Sequence, residues 1–224
     1  MQKIIISLLL LTLLQNPYNT HKALAQSFAE EYWNNGEVTL QEDEGSTVLK
    51  GKIKYNLSEN LVQFIDENGN IQTLTARKVL FFKFNDAKNM VERQFYTLPY
   101  TLNVNSDYKT PIFFELLLEG QPYSLLCREK LITQTVQNPN YPYSPYGINT
   151  PFLTQNVIKN DYFLLNFYDD GSYRLKPFED RKTLMLVLAD REEQIKEHIK
   201  VNKLQPEIKS HVISIITYYN SIKQ

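Results

Sequence analysis

Apolar and charged positions alternate strictly through residues 48–55. Leu49, Gly51, Ile53 and Tyr55 fall on one face, and Lys50, Lys52 and Lys54 on the other. Period two with one charged face marks a half-buried antiparallel strand. Shorter runs of the same kind flank it. Residues 37–40 precede a turn at Glu44-Gly45, residues 61–65 and 71–74 flank Asn68-Gly69, and residues 79–84 and 93–98 are denser apolar runs. Asn-Gly between two such runs predicts a type I′ hairpin, whose two central residues both need positive φ. Residues 113–118 and 123–133 pair through Glu119-Gly120-Gln121-Pro122, and residues 162–168 and 172–175 through Asp169-Asp170-Gly171.

From Phe178 the period becomes helical. Residues 181–188 suit a short packed helix. Asp190 and Glu193 have the spacing of a capping box, with aspartate in place of serine or threonine. Ile195 and Ile199 share a face opposite Lys196, Glu197 and Lys200. Pro206 fits the first turn of a last helix, in which Ile208, Val212, Ile215, Ile216 and Tyr219 make an apolar stripe. The predicted class is α+β: an antiparallel β-sandwich or partial barrel over residues 26–176, then two or three helices packed on it over 177–224. Residues 138–156 break the pattern with a loop rich in proline, tyrosine and asparagine, and loops of that length are often functional or disordered.

The N-terminus carries an address. Met1-Gln2-Lys3 is a positive start, residues 4–14 are an apolar run, and Ala23-Leu24-Ala25 supplies an A-x-A cleavage site. Residues 1–25 therefore read as a secretory signal peptide, and the apolar run is well short of the roughly 20 residues a spanning helix needs. The product is expected to be exported: periplasmic, outer-membrane-associated or secreted, with no membrane span after signal removal. Loss of Lys3 and Lys22 moves the formal charge from -1 to -3. So weak a balance gives no electrostatic reason to expect nucleic acid as a partner. The single cysteine, Cys127, excludes an internal disulfide and sits in an apolar run that favours a buried, inert thiol.

Few constellations promise chemistry. His198 and His211 fall on different helices without ligand-spaced partners, so no metal site or cofactor is expected. Asp66, Asn68 and Asn70 resemble the start of a calcium loop, but its sixth and twelfth positions are Ile71 and Arg77, and a hairpin turn accounts for them better. Glu42, Asp43 and Glu44 read as a solvated hairpin tip. Glu115 is the weak catalytic candidate. It interrupts an apolar strand on the face of Phe113 and Leu117, where burial would raise its pKa and suit it to general-acid work. On a solvated face it is an ordinary strand charge, or it pairs with Arg128 on the next strand. Tyr141, Tyr143 and Tyr146, on the proline-stiffened loop, are candidates for binding a protein or glycan.

Residues 36–40, 51–55 and 75–79, together with residues 195–204 and Tyr218-Tyr219-Asn220, give the chain a texture that resembles a large class of exported, uncharacterised proteins of Bacteroidota-type bacteria. The resemblance implies an envelope or secreted location in a Gram-negative cell and carries no activity. The leading expectation is a non-enzymatic binding or interaction protein of the cell envelope, with an envelope protein or glycan as partner. The alternatives are a small-ligand or glycan binder and a hydrolase with a carboxylate site near Glu115.

Overall fold

The computed structural model describes residues 32–102, 106–137 and 152–223. The positions carrying the signal cleavage residues Ala23 and Ala25 and the loop tyrosines Tyr141, Tyr143 and Tyr146 lie outside these residues. The chain is α+β as expected. Among the described residues ten antiparallel strands form one sheet: β1 (Asn34–Glu42), β2 (Gly45–Asn56), β3 (Leu61–Ile65), β4 (Ile71–Thr75), β5 (Val79–Asp86), β6 (Val91–Tyr100), β7 (Thr110–Leu118), β8 (Ser124–Gln137), β9 (Phe152–Phe167) and β10 (Tyr173–Phe178). Helices α1 (Arg181–Val187), α2 (Glu192–Val201) and α3 (Lys209–Lys223) follow.

The strand order is β10-β9-β8-β7-β6-β5-β1-β2-β3-β4. It forces the first five strands to curl. In a flat sheet β4 and β5 would lie about 19 Å apart, four strand spacings. The chain joins them through residues 76–78 alone, and the Lys78 amide donates to the Thr75 carbonyl at 2.9 Å in a tight turn. Strands β1 to β5 therefore close toward a small barrel. Glycines at Gly36 and Gly51 allow the close crossing, since a Cβ at either position would meet a backbone oxygen at 2.2 Å.

Alternation puts one continuous face inward: Val38, Ile53, Tyr55, Phe64, Phe82, Phe84, Phe95 and Phe113 are buried together. Phe82 stacks on Phe95 at 4.5 Å, and Tyr55 of β2 reaches Phe113 of β7 at 5.9 Å, a contact across the curl. Past β7 the same face is covered by the helices. Leu184, Ile195, Ile199, Val212, Ile215, Ile216 and Tyr219 pack on Tyr123, Leu125, Cys127, Tyr162 and Leu164. At roughly 1.5–3 kcal/mol per fully buried large apolar side chain, this docking is strong.

Four local expectations need correction. The β3–β4 turn is not type I′, because only Gly69 has positive φ there. Asp66 organises the turn instead: one carboxylate oxygen accepts from the amides of Asn68 and Asn70 at 2.9 and 2.8 Å. The capping box is not at Asp190 but at Asp180 and Thr183. Asp190 lies in a single 3-10 turn, where its carboxylate accepts from the Tyr219 hydroxyl at 2.9 Å and pairs with Lys223. The stripe of α3 begins at Val212, since Ile208 is exposed and precedes the helix. Residues 152–156, expected in the loop, are strand. Thr154, Gln155 and Asn156 are exposed on both faces, so burial leaves no alternation to read.

Candidate functional site

Alternation on three strands brings three charged side chains onto the inner face, at the seam between the curled half and the helix-covered half. Arg93 of β6 shares its face with Phe95. Phe95 pairs with Glu115 of β7, and Glu115 pairs with Cys127 of β8, which carries Glu129 to the same side. Lys209, the first residue of α3, arrives from the helix layer.

The four groups form a ring. Arg93 grips Glu115 in a bidentate pair, donating from Nε at 2.7 Å and from Nη2 at 2.9 Å. Arg93 Nη2 also lies 3.0 Å from Glu129 Oε2. Lys209 Nζ donates to Glu115 at 3.0 Å and to Glu129 at 2.9 Å. The guanidinium lies 5.0 Å from the ring centroid of Phe95, an added cation–π contact. Side-chain exposure of the pair at the centre is 10% for Arg93 and 8% for Glu115.

The electrostatics follow from this geometry. Burial pushes the Glu129 carboxyl up, but Arg93 and Lys209 outweigh it and hold the group below the usual carboxylate range. Burial also works against the charge on Lys209 and Arg93, yet Glu115 and Glu129 raise both above their ordinary values. Arg93, Lys209 and Glu129 are therefore each kept charged by their neighbours. Glu115 accepts three charge-assisted hydrogen bonds, which occupy both of its oxygens.

Glu115 is thus buried, as one expectation had it, but as part of an ion network. Arg128 is not its partner: it pairs in register with Asp161, and alternation turns it to the opposite face from Cys127. Cys127 is 1% exposed, and burial pushes its thiol well above the ordinary range, the state of an inert core residue. His198 stacks on Tyr218 at 4.1 Å, and His211 accepts at Nδ1 from the Gln205 amide at 3.0 Å. Among the described residues no group of three or more His, Cys, Asp or Glu is placed to hold a metal. No described helix is long and apolar enough to cross a membrane.

Sequence reasoning missed Arg93, Glu129 and Lys209. The signal that marked Glu115, a charge on the apolar face of a strand, was present at Arg93 and Glu129 as well; only the register between strands shows that the three meet.

A second feature lies beyond the seam. The β7 ladder leaves β8 at Cys127, and the β10 ladder joins β9 only at Tyr162. Between them β8 and β9 pair only with each other among the described residues, from Arg128 opposite Asp161 to Gln137 opposite Phe152. This makes a two-stranded arm roughly 34 Å long. Thr133, Gln134, Thr135, Thr154, Gln155 and Asn156 on it are exposed. Comparison of the chain with family models, with curated proteins and with solved structures gives no match in any of the three.

Proposed function

We propose that the chain is an exported, non-enzymatic binding or interaction protein of the bacterial cell envelope. The observation that supports this reading is the β8–β9 arm. It extends past both neighbouring ladders, exposes side chains on both faces, and holds the two ends of the tyrosine-bearing loop at paired positions, Gln137 and Phe152. The leader-like N-terminus supplies the address. A hydrolytic role for Glu115 finds less support, because Arg93 and Lys209 occupy its oxygens.

The same placement favours a second reading, a glycan or small-ligand binder that uses Tyr141, Tyr143 and Tyr146. Tyrosines on a proline-stiffened segment offer contact area at low entropic cost.

An arm deletion tests the first reading. Lys130 and Lys159 are register partners, so Asn-Gly can close the hairpin directly between them. In-cell crosslinking of tagged chain on separated periplasmic, outer-membrane and medium fractions is expected to yield one reproducible envelope partner. The folded, arm-less chain is expected to lose it. Equal capture by both forms would sink the arm as the binding element. For the second reading, replacing the three tyrosines together with alanine should abolish retention on an envelope-glycan array.

A further inference from the structure

We infer that the outer edge of β8 is a self-pairing surface, which joins two copies of this chain through antiparallel strand addition about a two-fold axis at Gln134. The inference does not rest on the proposed envelope function and would stand if the protein were an enzyme.

An unpaired strand edge is a template for another strand, and proteins that stay monomeric blunt such edges with charge, proline or a bulge. The distal arm does none of these. Beyond Arg128 no strand among the described residues pairs with the outer edge of β8. Residues 131–137 contain no charged residue and no proline, and their register with β9 runs without a shift.

The sequence of that edge names its occupant. Ile132-Thr133-Gln134-Thr135-Val136 is chemically palindromic. Antiparallel pairing with a second copy, centred on Gln134, sets Ile132 against Val136, Thr133 against Thr135 and Gln134 against itself. β-Branched pairs, Thr–Thr pairs and a Gln–Gln pair are all favourable cross-strand neighbours. Ile132 is also the register partner of Val157, so the apolar row Val157-Ile132 would continue onto the Val136 of the second copy. The edge of β9 offers a rival centre at Gln155, which would set Thr154 against Asn156, Leu153 against Val157 and Phe152 against Ile158. That match is looser than Thr against Thr and Ile against Val, and asparagine is a poor strand former. A two-fold axis demands self-complementarity of this kind, and the β8 edge supplies the closer match.

The test uses the purified chain at up to about 100 µM, where a weak, strand-sized interface still populates the dimer. Light scattering after size exclusion is expected to give twice the chain mass. Thr133→Lys with Thr135→Lys sets like charges opposite each other twice across the axis and should return the mass to that of one chain. Thr133→Glu with Thr135→Lys sets opposite charges there and should restore the doubled mass. Both pairs sit at exposed positions, and circular dichroism checks that each variant folds. Oxidation of Gln134→Cys should give a covalent dimer and oxidation of Gln155→Cys should not; Cys127 is buried and stays silent. A wild-type chain of single mass, equal behaviour of the two charge variants, or crosslinking through position 155 instead of 134 would overturn the inference.

Discussion

The sheet buries one inward face in two ways: strands β1–β5, together with Phe95 of β6 and Phe113 of β7, cover it by curling, and strands β8–β10 by three helices. The difference lies in the connections. A three-residue link from β4 to β5, with Gly36 and Gly51 at the tight crossing, draws the first set around its own aromatic side chains. In the second set consecutive strands are sheet neighbours, so no connection draws the sheet round, and Leu125, Cys127 and Leu164 are covered by the helices instead. Where the two solutions meet, neither the rings nor the helices fill the space, and the buried ion ring occupies the seam. A sheet can thus change its means of burial halfway along, and the junction is where polar groups collect.

Breaking the seam should have the largest effect. Arg93→Met leaves Glu115 and Glu129 buried with Lys209 as their remaining cation from the ring, and removing one partner of a buried pair costs about 3–5 kcal/mol. Urea unfolding measures it. Replacing the strand-borne ions together, with Arg93→Met, Glu115→Leu and Glu129→Leu, should recover most of the loss, because apolar replacement of a buried set is often close to neutral. A cost below about 1 kcal/mol for Arg93→Met would mean the seam behaves as a hydrated surface pair.

The two cores can then be set against each other. Phe82 touches the rings of Tyr55, Phe84, Phe95 and Phe113. Phe82→Ala should cost about 3 kcal/mol or more, and Ile216→Ala in the helix layer about 2 kcal/mol or more. Reversal of that order in thermal and urea unfolding would show that the helices, not the aromatic interior, dominate stability.

A smaller effect separates the seam from both cores by pH. Glu129 faces Arg93 from β6, Glu115 from β7, Lys209 from α3 and Tyr55 from β2. Its folded pKa lies below the ordinary carboxylate value of about 4.3, so the unfolded state binds the proton first on acidification. The contribution of Glu129 is complete above that value and is lost as pH falls through the depressed one. Lys209 mirrors it: its contribution is complete below the ordinary lysine value of about 10.4 and is lost only as pH rises through its raised value. Stability from the ring should therefore be flat from about pH 5 to 9 and fall below about pH 4. Urea midpoints of the wild type and Glu129→Gln across that acid range should diverge in slope; parallel curves would remove Glu129 from the account.

The two halves were unequally legible. Inward alternation at Leu49 to Tyr55 and the spacing of Val212, Ile215, Ile216 and Tyr219 follow from burial on one face, and burial writes a period into sequence. The arm writes none, because Thr133 and Thr135 on one side and Gln134 and Gln155 on the other both meet solvent. Glu115 stood out as a lone charge in an apolar run. Its partners come from β6, β8 and α3, and only the strand order brings these elements together. The type I′ hairpin failed for a local reason: the Asp66 carboxylate accepts amides from within the turn, which builds a wider turn that needs positive φ at Gly69 alone.

The smallest expected effect concerns how the helix layer begins. Chain direction turns at Asp180, straight after β10, and α1 must start there for α2 and α3 to reach the sheet. The Asp180 carboxylate accepts from the Thr183 amide at 2.8 Å, and the Thr183 hydroxyl accepts in return from the Asp180 amide at 3.1 Å. Thr183→Val keeps the shape and deletes the hydroxyl's bonds, which include one from the Glu179 amide at 3.1 Å and one to Asp180 Oδ1 at 2.7 Å. The freed groups are near solvent, so the loss should be about 1 kcal/mol. If the helical half formed a cooperative unit apart from the curled half, hydrogen exchange would quicken at α1 to α3 alone. Because the ion ring ties α3 to β6 and β7, exchange should instead rise by the same small factor at Phe82 and at Ile216. A rise confined to the helices would show that the seam does not couple the halves.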